Sequence, residues 1–250
     1  MKLVSICPTF RRSKMIPNVL AMWNRQDYPA ADRHLIILDD GGTFDEQHGD
    51  NWSVITLPER VATIGQKFGQ CCELARSHNP DAIVVWEDDD VYLPWHLSAA
   101  ATTLGDHDVS CPSLVLADDG GGGLHESNAI GRHHGAWSFT VAAYDRSGGY
   151  PHIDDAFDFA FRQRLLDADC SIGDPISIAP ISYVYRWFTT GYANWSAIAP
   201  DQYAETAATI PVDRSPGPVI PQLDELAIEY FAQLAPSKGP SRDSFQRADD

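Results

Sequence analysis

The segment Asp81–Pro94, DAIVVWEDDDVYLP, decides how the rest of the chain is read. Ala82–Trp86 is apolar throughout, as expected of a strand covered on both faces. It runs without a spacer into Glu87-Asp88-Asp89-Asp90, and Val91-Tyr92-Leu93 restores apolar character before Pro94. Consecutive carboxylates repel one another unless a cation neutralises them, and hard divalent ions prefer carboxylate oxygens. A solvated acidic turn is the plainer reading, but it leaves the apolar residues on both sides unexplained.

Outward from this segment the same rhythm repeats. Leu3–Cys7 is a short apolar run closed by Pro8-Thr9. Ser13 can cap a helix to about Asp27, with Ile16, Val19, Leu20 and Trp23 on one face. His34–Leu38 is a second strand, ending on the turn cluster Asp39-Asp40-Gly41-Gly42, and Ser53–Leu57 is a third. A helix over Ile64–Ser77 precedes the breaker Asn79-Pro80-Asp81. This alternation predicts an αβα sandwich around a mostly parallel sheet. Ligands of such sheets bind beyond the carboxyl ends of strands. Pro8-Thr9 with Arg11 and Arg12, Asp39-Asp40, Glu59-Arg60 and Glu87–Asp90 all fall at such ends.

Beyond about residue 105 the rhythm changes to a smaller, mixed part. Val109–Leu116 and Ser138–Tyr144 read as strands flanking the Gly120–Gly123 loop. Ile153–Leu166 reads as a helix, and Ile176–Ile178 and Tyr183–Arg186 as further strands. From Pro211 the chain is Pro-rich, with one amphipathic segment over Leu223–Leu234 and a tail, Pro236–Asp250, of disordered composition. The expected division is one domain over 1–210, with halves 1–105 and 106–210, and an appendage over 211–250.

Charge narrows the partners. Eighteen Lys and Arg stand against 35 Asp and Glu, a formal charge of −17, so phosphate backbones and anionic lipid surfaces are repelled. No apolar run reaches the length of a membrane span, and the apolar stretch before Pro8 is too short for a signal peptide. Five scattered cysteines without a C-x-x-C pair suggest reduced, buried thiols and a cytoplasmic location.

Four segments in order carry a resemblance. VSICPTFRR (4–12) is similar to the opening of family 2 glycosyltransferases, which have the GT-A nucleotide-sugar fold. LIILDDGGTFDE (35–46) resembles their VVDDGSTD segment, and IVVWEDDDVYLPWHL (83–97) their DxD segment followed by proline. GGYPHIDDAFDFAFRQRL (148–165) resembles their later GGF…ED region. The resemblance implies a metal-dependent, inverting transfer of a sugar from a nucleotide donor, UDP-linked, to an acceptor hydroxyl of a cell-envelope saccharide. Residues 1–105 would bind the donor and 106–210 the acceptor.

Residue by residue, the resemblance implies that Asp89 holds Mn²⁺ or Mg²⁺. Glu87, in place of the first aspartate of the motif, would reach the ribose or the metal. Asp88 would lie at the nucleotide. Asp39 or Asp40 corresponds to the carboxylate that reads the uracil N–H, and Pro8, Thr9 and Arg11 would line base and ribose. Gly42 stands where the family commonly has Ser. Lys67 stands where a basic residue often faces the diphosphate; the plainer reading is an exposed helix lysine. Asp155, with Asp154 next, is the candidate base for the acceptor hydroxyl, although both also suit a helix cap. Asp158 reads as structural. YVYRW (183–187) partly resembles the Q-x-x-R-W of processive synthases, with Arg186 toward the diphosphate and Trp187 or Trp137 stacking on a sugar; core packing is the alternative for the tryptophans.

The histidines His125, His133, His134 and His152 show no zinc spacing and read as loop or acceptor contacts. Gly120–Gly123 lacks the P-loop pattern and reads as a mobile cover. Two rival functions are a nucleotidyltransferase, which would carry a Gly-rich loop where Pro8-Thr9-Phe10-Arg11 stands, and a sugar-nucleotide-binding protein without turnover.

Overall fold

A computed structural model describes residues 1–12, 15–118 and 124–186. In chain order the elements are β1 (Leu3–Thr9), α1 (Ile16–Asn24), β2 (Arg33–Asp39), β3 (Gln47–His48), β4 (Trp52–Thr56), α2 (Ile64–Arg76), β5 (Ala82–Val85), β6 (Val91–Tyr92) and α3 (His96–Leu104). They continue as β7 (Val109–Ser110), β8 (Leu114–Asp118), β9 (Leu124–Asn128), β10 (Ser138–Thr140), α4 (Val141–Ser147), α5 (Phe157–Asp167), β11 (Ile172–Gly173) and β12 (Tyr183–Arg186).

The large sheet has the order β11-β7-β10-β5-β1-β2-β4-β3. Its central strands β5, β1, β2 and β4 are parallel, and β10 and β3 run against their neighbours. The chain starts at β1, builds outward through β2 and β4, then returns to lay β5 on the other side of β1. That reversal between β1 and β5 is where open α/β sheets leave a crevice at their carboxyl edge. A second sheet, β6-β12-β8-β9, is mixed.

Alternation along the strands sorts the core onto two faces. Val4, Ile6, Ile36, Leu38, Ile83 and Val85 pack with Phe68, Cys71 and Cys72 of α2 and with residues of α4 and α5. The intervening Leu3, Leu35, Ile37 and Val84, all fully buried, face the other way, the side of α3. Helices therefore cover both faces, as the sequence predicts. The five cysteines are free thiols.

Several boundaries differ from the expectation, each for a local reason. The first helix spans only Ile16–Asn24, with Pro17 in its first turn, where a missing N–H costs nothing; Ser13 lies outside the described residues. Val109–Leu116 is two strands in two sheets, since Pro112 breaks the ladder between β7 and β8. Ser138–Tyr144 is a strand only to Thr140, whose Oγ1 accepts from Ala143 N at 3.1 Å and starts α4. The helix expected from Ile153 begins at Phe157, after a left-handed Ala156 (φ 50°). Ile176–Ile178 is no strand; Asp174 caps a single 3₁₀ turn, Pro175–Ser177. The helix α3 carries no capping side chain at its start and so has no sequence signature there. The Gly120–Gly123 loop, Trp187, Leu223–Leu234 and the appendage over 211–250 lie outside the described residues.

Candidate functional site

The site begins with unequal strand lengths. β1 pairs with β5 only through Ile6↔Val85, whereas its pairing with β2 continues to Thr9↔Asp39. The last bond on the β5 side is Trp86 N donating to Ile6 O at 2.9 Å. Pro8 follows with the same parity, facing the side that β5 has left, so its missing N–H forfeits no ladder bond.

Beyond Val85 the acidic run is folded back by its flanking aromatics. Trp86 stacks on Tyr92 with ring centroids 3.9 Å apart and meets Trp23 edge-on. Tyr92 OH accepts from Glu87 N at 2.7 Å and donates to Gly135 O at 3.0 Å. This clasp explains why the four carboxylates sit between apolar residues: the aromatics bury, and the loop they close presents its charges at the sheet edge.

The four acids do not share one role. Asp88 turns back to β1, accepting from Thr9 Oγ1 at 2.6 Å and from Arg12 at 2.6 Å. Arg12 also donates to Asp89 Oδ2 at 2.8 Å. Burial works against the guanidinium's charge, but Asp88 and Asp89 outweigh it and hold Arg12 protonated. Glu87, Asp89 and Asp90 offer one carboxylate oxygen each, all within 4.8 Å of one another. Asp90 is fixed from the second sheet: its Oδ1 accepts from Arg186 N at 2.9 Å and its Oδ2 from Tyr183 OH. Burial, then Asp89, Asp158 and Asp88, push Glu87 up to about 8 against the pull of Arg12. Asp90 is raised too, by burial, Asp89 and Glu87. A crowded set of hard oxygen donors whose charges oppose one another fits a divalent cation such as Mg²⁺ or Mn²⁺.

A histidine completes the wall of the cluster. His134 Nδ1 lies 3.4 Å from Glu87 Oε1, and its Nε2 lies 2.8 Å from Tyr150 OH. Burial pushes this imidazole down to about 4, so it is neutral near pH 7. Gly135 follows because nothing larger fits: a Cβ there would stand 2.7 Å from Tyr183 OH and 3.2 Å from Asp90 Oδ2.

Other sequence-predicted residues are placed as follows. Asp39, fully buried, accepts from the backbone of Gly41, Thr43 and Phe44, shaping its own loop. Asp40 accepts from Val61 N at 3.0 Å and from Lys67 Nζ at 2.5 Å. A nucleobase would compete with these donors. Lys67 is not an exposed helix lysine but 4% exposed, bridging Asp40 and Thr9 O. Arg11 adopts φ 56°, with its guanidinium over the Phe10 ring. Trp137 is 1% exposed, with Nε1 donating to Arg132 O, and has no free face for a sugar. Asp155 is exposed, and Asp154 Oδ1 accepts from Ile64 N at 2.9 Å.

The roles of Arg12, Asp90, His134 and Tyr150 escape motif reading. Arg12 had one sequence signal, a second arginine at a strand end in a chain of few cations. Asp90 had its place in the acidic run. His134 reads in the sequence as a loop or acceptor contact and is instead buried, and Tyr150 is the tyrosine of the GGY segment; their place beside Glu87 arises only through the fold.

No protein-family model matches the chain, and no curated protein matches it in sequence. Solved structures do match. TarS of S. aureus, as its 1–349 fragment in complex with UDP-GlcNAc, superposes with a TM-score of 0.64 at 18% identity, over 80% of this chain and 62% of that one. The mannosyltransferase PcManGT from Pyrobaculum calidifontis, in complex with GDP-Man and Mn²⁺, gives a TM-score of 0.56 at 15% identity, over 96% of this chain and 66% of that one. The chain thus spans about three fifths of the TarS fragment. At these identities the likeness establishes the fold, a GT-A-type αβα sandwich.

Proposed function

We propose that this protein is a metal-dependent glycosyltransferase of the inverting family 2 type. It moves a sugar from a nucleotide donor, UDP-linked, to an acceptor hydroxyl on a cell-envelope saccharide. The observation that carries the reading is the convergence of Glu87, Asp89 and Asp90 with Thr9 and Arg12 at the β1/β5 crevice. It supports the reading because the same fold, in TarS and PcManGT, is found holding UDP-GlcNAc or GDP-Man with Mn²⁺.

In this reading Asp89, Glu87 and Asp90 hold the cation, which when bound offsets the charge of the departing diphosphate. Arg12 offsets the charge of Asp88 and holds Oδ2 of Asp89. The wall of His134 and Tyr150 orients Glu87. Asp155 takes the acceptor hydroxyl's proton as the new C1–O bond forms and the C1–O bond to phosphate breaks on the opposite face. The nucleoside diphosphate leaves with the electron pair.

Calorimetric titration of UDP, GDP and CDP, each with and without Mn²⁺, tests the proposal. Manganese-dependent binding of one of them is expected. A folded protein that binds none with Mn²⁺ present refutes it, and binding without any turnover favours a sugar-nucleotide-binding protein.

A further inference from the structure

The loop before α5 is held by a different helix. The amides of the first turn of α2 are consumed one after another. Ile64 N donates to Asp154 Oδ1 at 2.9 Å, Gly65 N to Ile153 O at 3.1 Å, and Gln66 N to Thr63 Oγ1 at 3.1 Å. The contact is close enough to require glycine: a Cβ at Gly65 would stand 2.0 Å from Pro151 O and 2.9 Å from Ile153 O. The next residue of the same turn is Lys67, whose Nζ joins Thr9 O at 2.6 Å to Asp40 Oδ1 at 2.5 Å. One turn of helix rises about 5.4 Å. Within that length α2 grips the carboxyl ends of β1 and β2 on one side and residues 151–154 on the other.

We infer that this turn is the spacer between donor side and acceptor side, and that Asp154 is a positioning residue that sets Asp155 through α2. The inference rests on the reading of Asp155 as the base. The two neighbouring aspartates differ in what they meet. Asp154 has one oxygen committed to a helix amide, whereas the exposed Asp155 has no hydrogen-bond partner among the described residues. An anchor needs an acceptor atom; a base needs a lone pair able to take a proton. Asparagine supplies the first and not the second, so it separates the roles.

The experiment compares Asp154→Asn, Asp154→Ala, Gly65→Ala and Asp155→Asn. Two readouts are used: hydrolysis of UDP-GlcNAc and GDP-mannose with Mn²⁺, and hydrogen exchange at the Ile64 and Gly65 amides. Asp154→Asn should keep the amides protected and kcat within about threefold of the parent. Asp154→Ala should expose the Ile64 amide and lower kcat roughly tenfold to a hundredfold, with the donor KM little changed, the loss expected for a small misplacement of a reacting group. Gly65→Ala should lower kcat likewise without touching a carboxylate. An Asp154→Asn variant as inactive as Asp155→Asn overturns the inference in favour of Asp154 as base. An Asp154→Ala variant with an exposed amide and unchanged kcat overturns it too. If the parent protein hydrolyses neither donor and binds none of UDP, GDP and CDP with Mn²⁺, while its Ile64 amide is protected and Asp154→Ala exposes it, the transferase reading fails and the anchor stands. An unprotected Ile64 amide in the parent overturns the anchor whatever the activity.

Discussion

The two edges of the site are built by different means. At the β1/β5 edge, residues near one another in sequence meet at the ends of adjacent strands: Thr9 ends β1 and Arg12 follows it, Glu87–Asp90 follow β5, and the sheet puts them in contact. At the edge next to α5, the loop at 151–155 is held by α2 and the wall residues His134 and Tyr150 by packing against Phe68 and Phe157. The first edge is fixed by local chain direction and the second by tertiary contacts. Changes at the first should cost chemistry outright, while changes at the second should be graded.

The largest effect belongs to Asp89→Ala. With only Glu87 and Asp90 left to the cation, nucleotide binding should lose its response to Mn²⁺ and kcat/KM should fall by about a hundredfold to a thousandfold, the scale of losing one electrostatic stabiliser. Chelation of the parent with EDTA should mimic it. Calorimetry with and without Mn²⁺ is the check; unchanged metal-dependent affinity removes Asp89 from the site. Asp155→Asn comes next. It should lower kcat by roughly 10²–10⁴-fold, the usual contribution of a general base, and leave donor binding as it was. If activity survives there and is lost in Asp158→Asn, the base sits three residues later, in the first turn of α5 where its charge acts on Glu87.

Gly135→Ala tests the seam between the two edges. Its methyl would meet Tyr183 OH at 2.7 Å and the carboxyl carbon of Glu87 at 3.2 Å. Overpacking of this kind costs about 1–3 kcal/mol. A lowered urea midpoint together with weakened Mn²⁺ binding is expected. A variant as stable as the parent, with equal metal affinity, would show that the cluster tolerates displacement and that the contrast between the edges is overdrawn.

The same contrast explains what the sequence discloses. The parallel sheet, the strands and the acidic run are legible because apolar strands ending in polar clusters are local patterns. The exact start of α5 is not, since residues 153–156 have helical composition and are drawn out of the helix by the amides of α2. Lys67 stands where the resemblance puts a basic residue near the diphosphate, and its ammonium is held by Asp40 and Thr9, a contact visible only once α2 lies against β1 and β2. Trp137 offers a stacking surface on paper and is enclosed by packing in the fold. The resemblance gives base recognition to Asp39 or Asp40; the sequence does not show that in the fold Asp39 accepts from its own loop's amides and Asp40 from Val61 N and Lys67.

The smallest effect is in stability against pH, where the acidic cluster and a buried histidine pull in opposite directions. His96, on α3, is 4% exposed and hydrogen-bonded through Nδ1 to Ser182 Oγ at 3.0 Å. Burial pushes it down to about 3 from an ordinary 6.5. Below pH 6.5 the unfolded chain takes up a proton at this site and the folded one does not, so the stability it contributes is lost as pH falls from 6.5 toward 3. At pH 5 that loss is about 2 kcal/mol, at 1.36 kcal/mol for each unit. Glu87 is raised to about 8 from an ordinary 4.5, so its sign is reversed: the folded state holds the proton longer, and stability is lost as pH rises from 4.5 toward 8. Between pH 4.5 and 6.5 the two slopes oppose, and the parent alone would show only their difference. Replacing His96 with Gln removes one of them. Urea unfolding at pH 5 and pH 7 should then show a parent-minus-variant stability difference that shrinks by about 2 kcal/mol on acidification. A difference independent of pH would mean that His96 is hydrated in solution and that this face of the sheet is less closed than its packing implies.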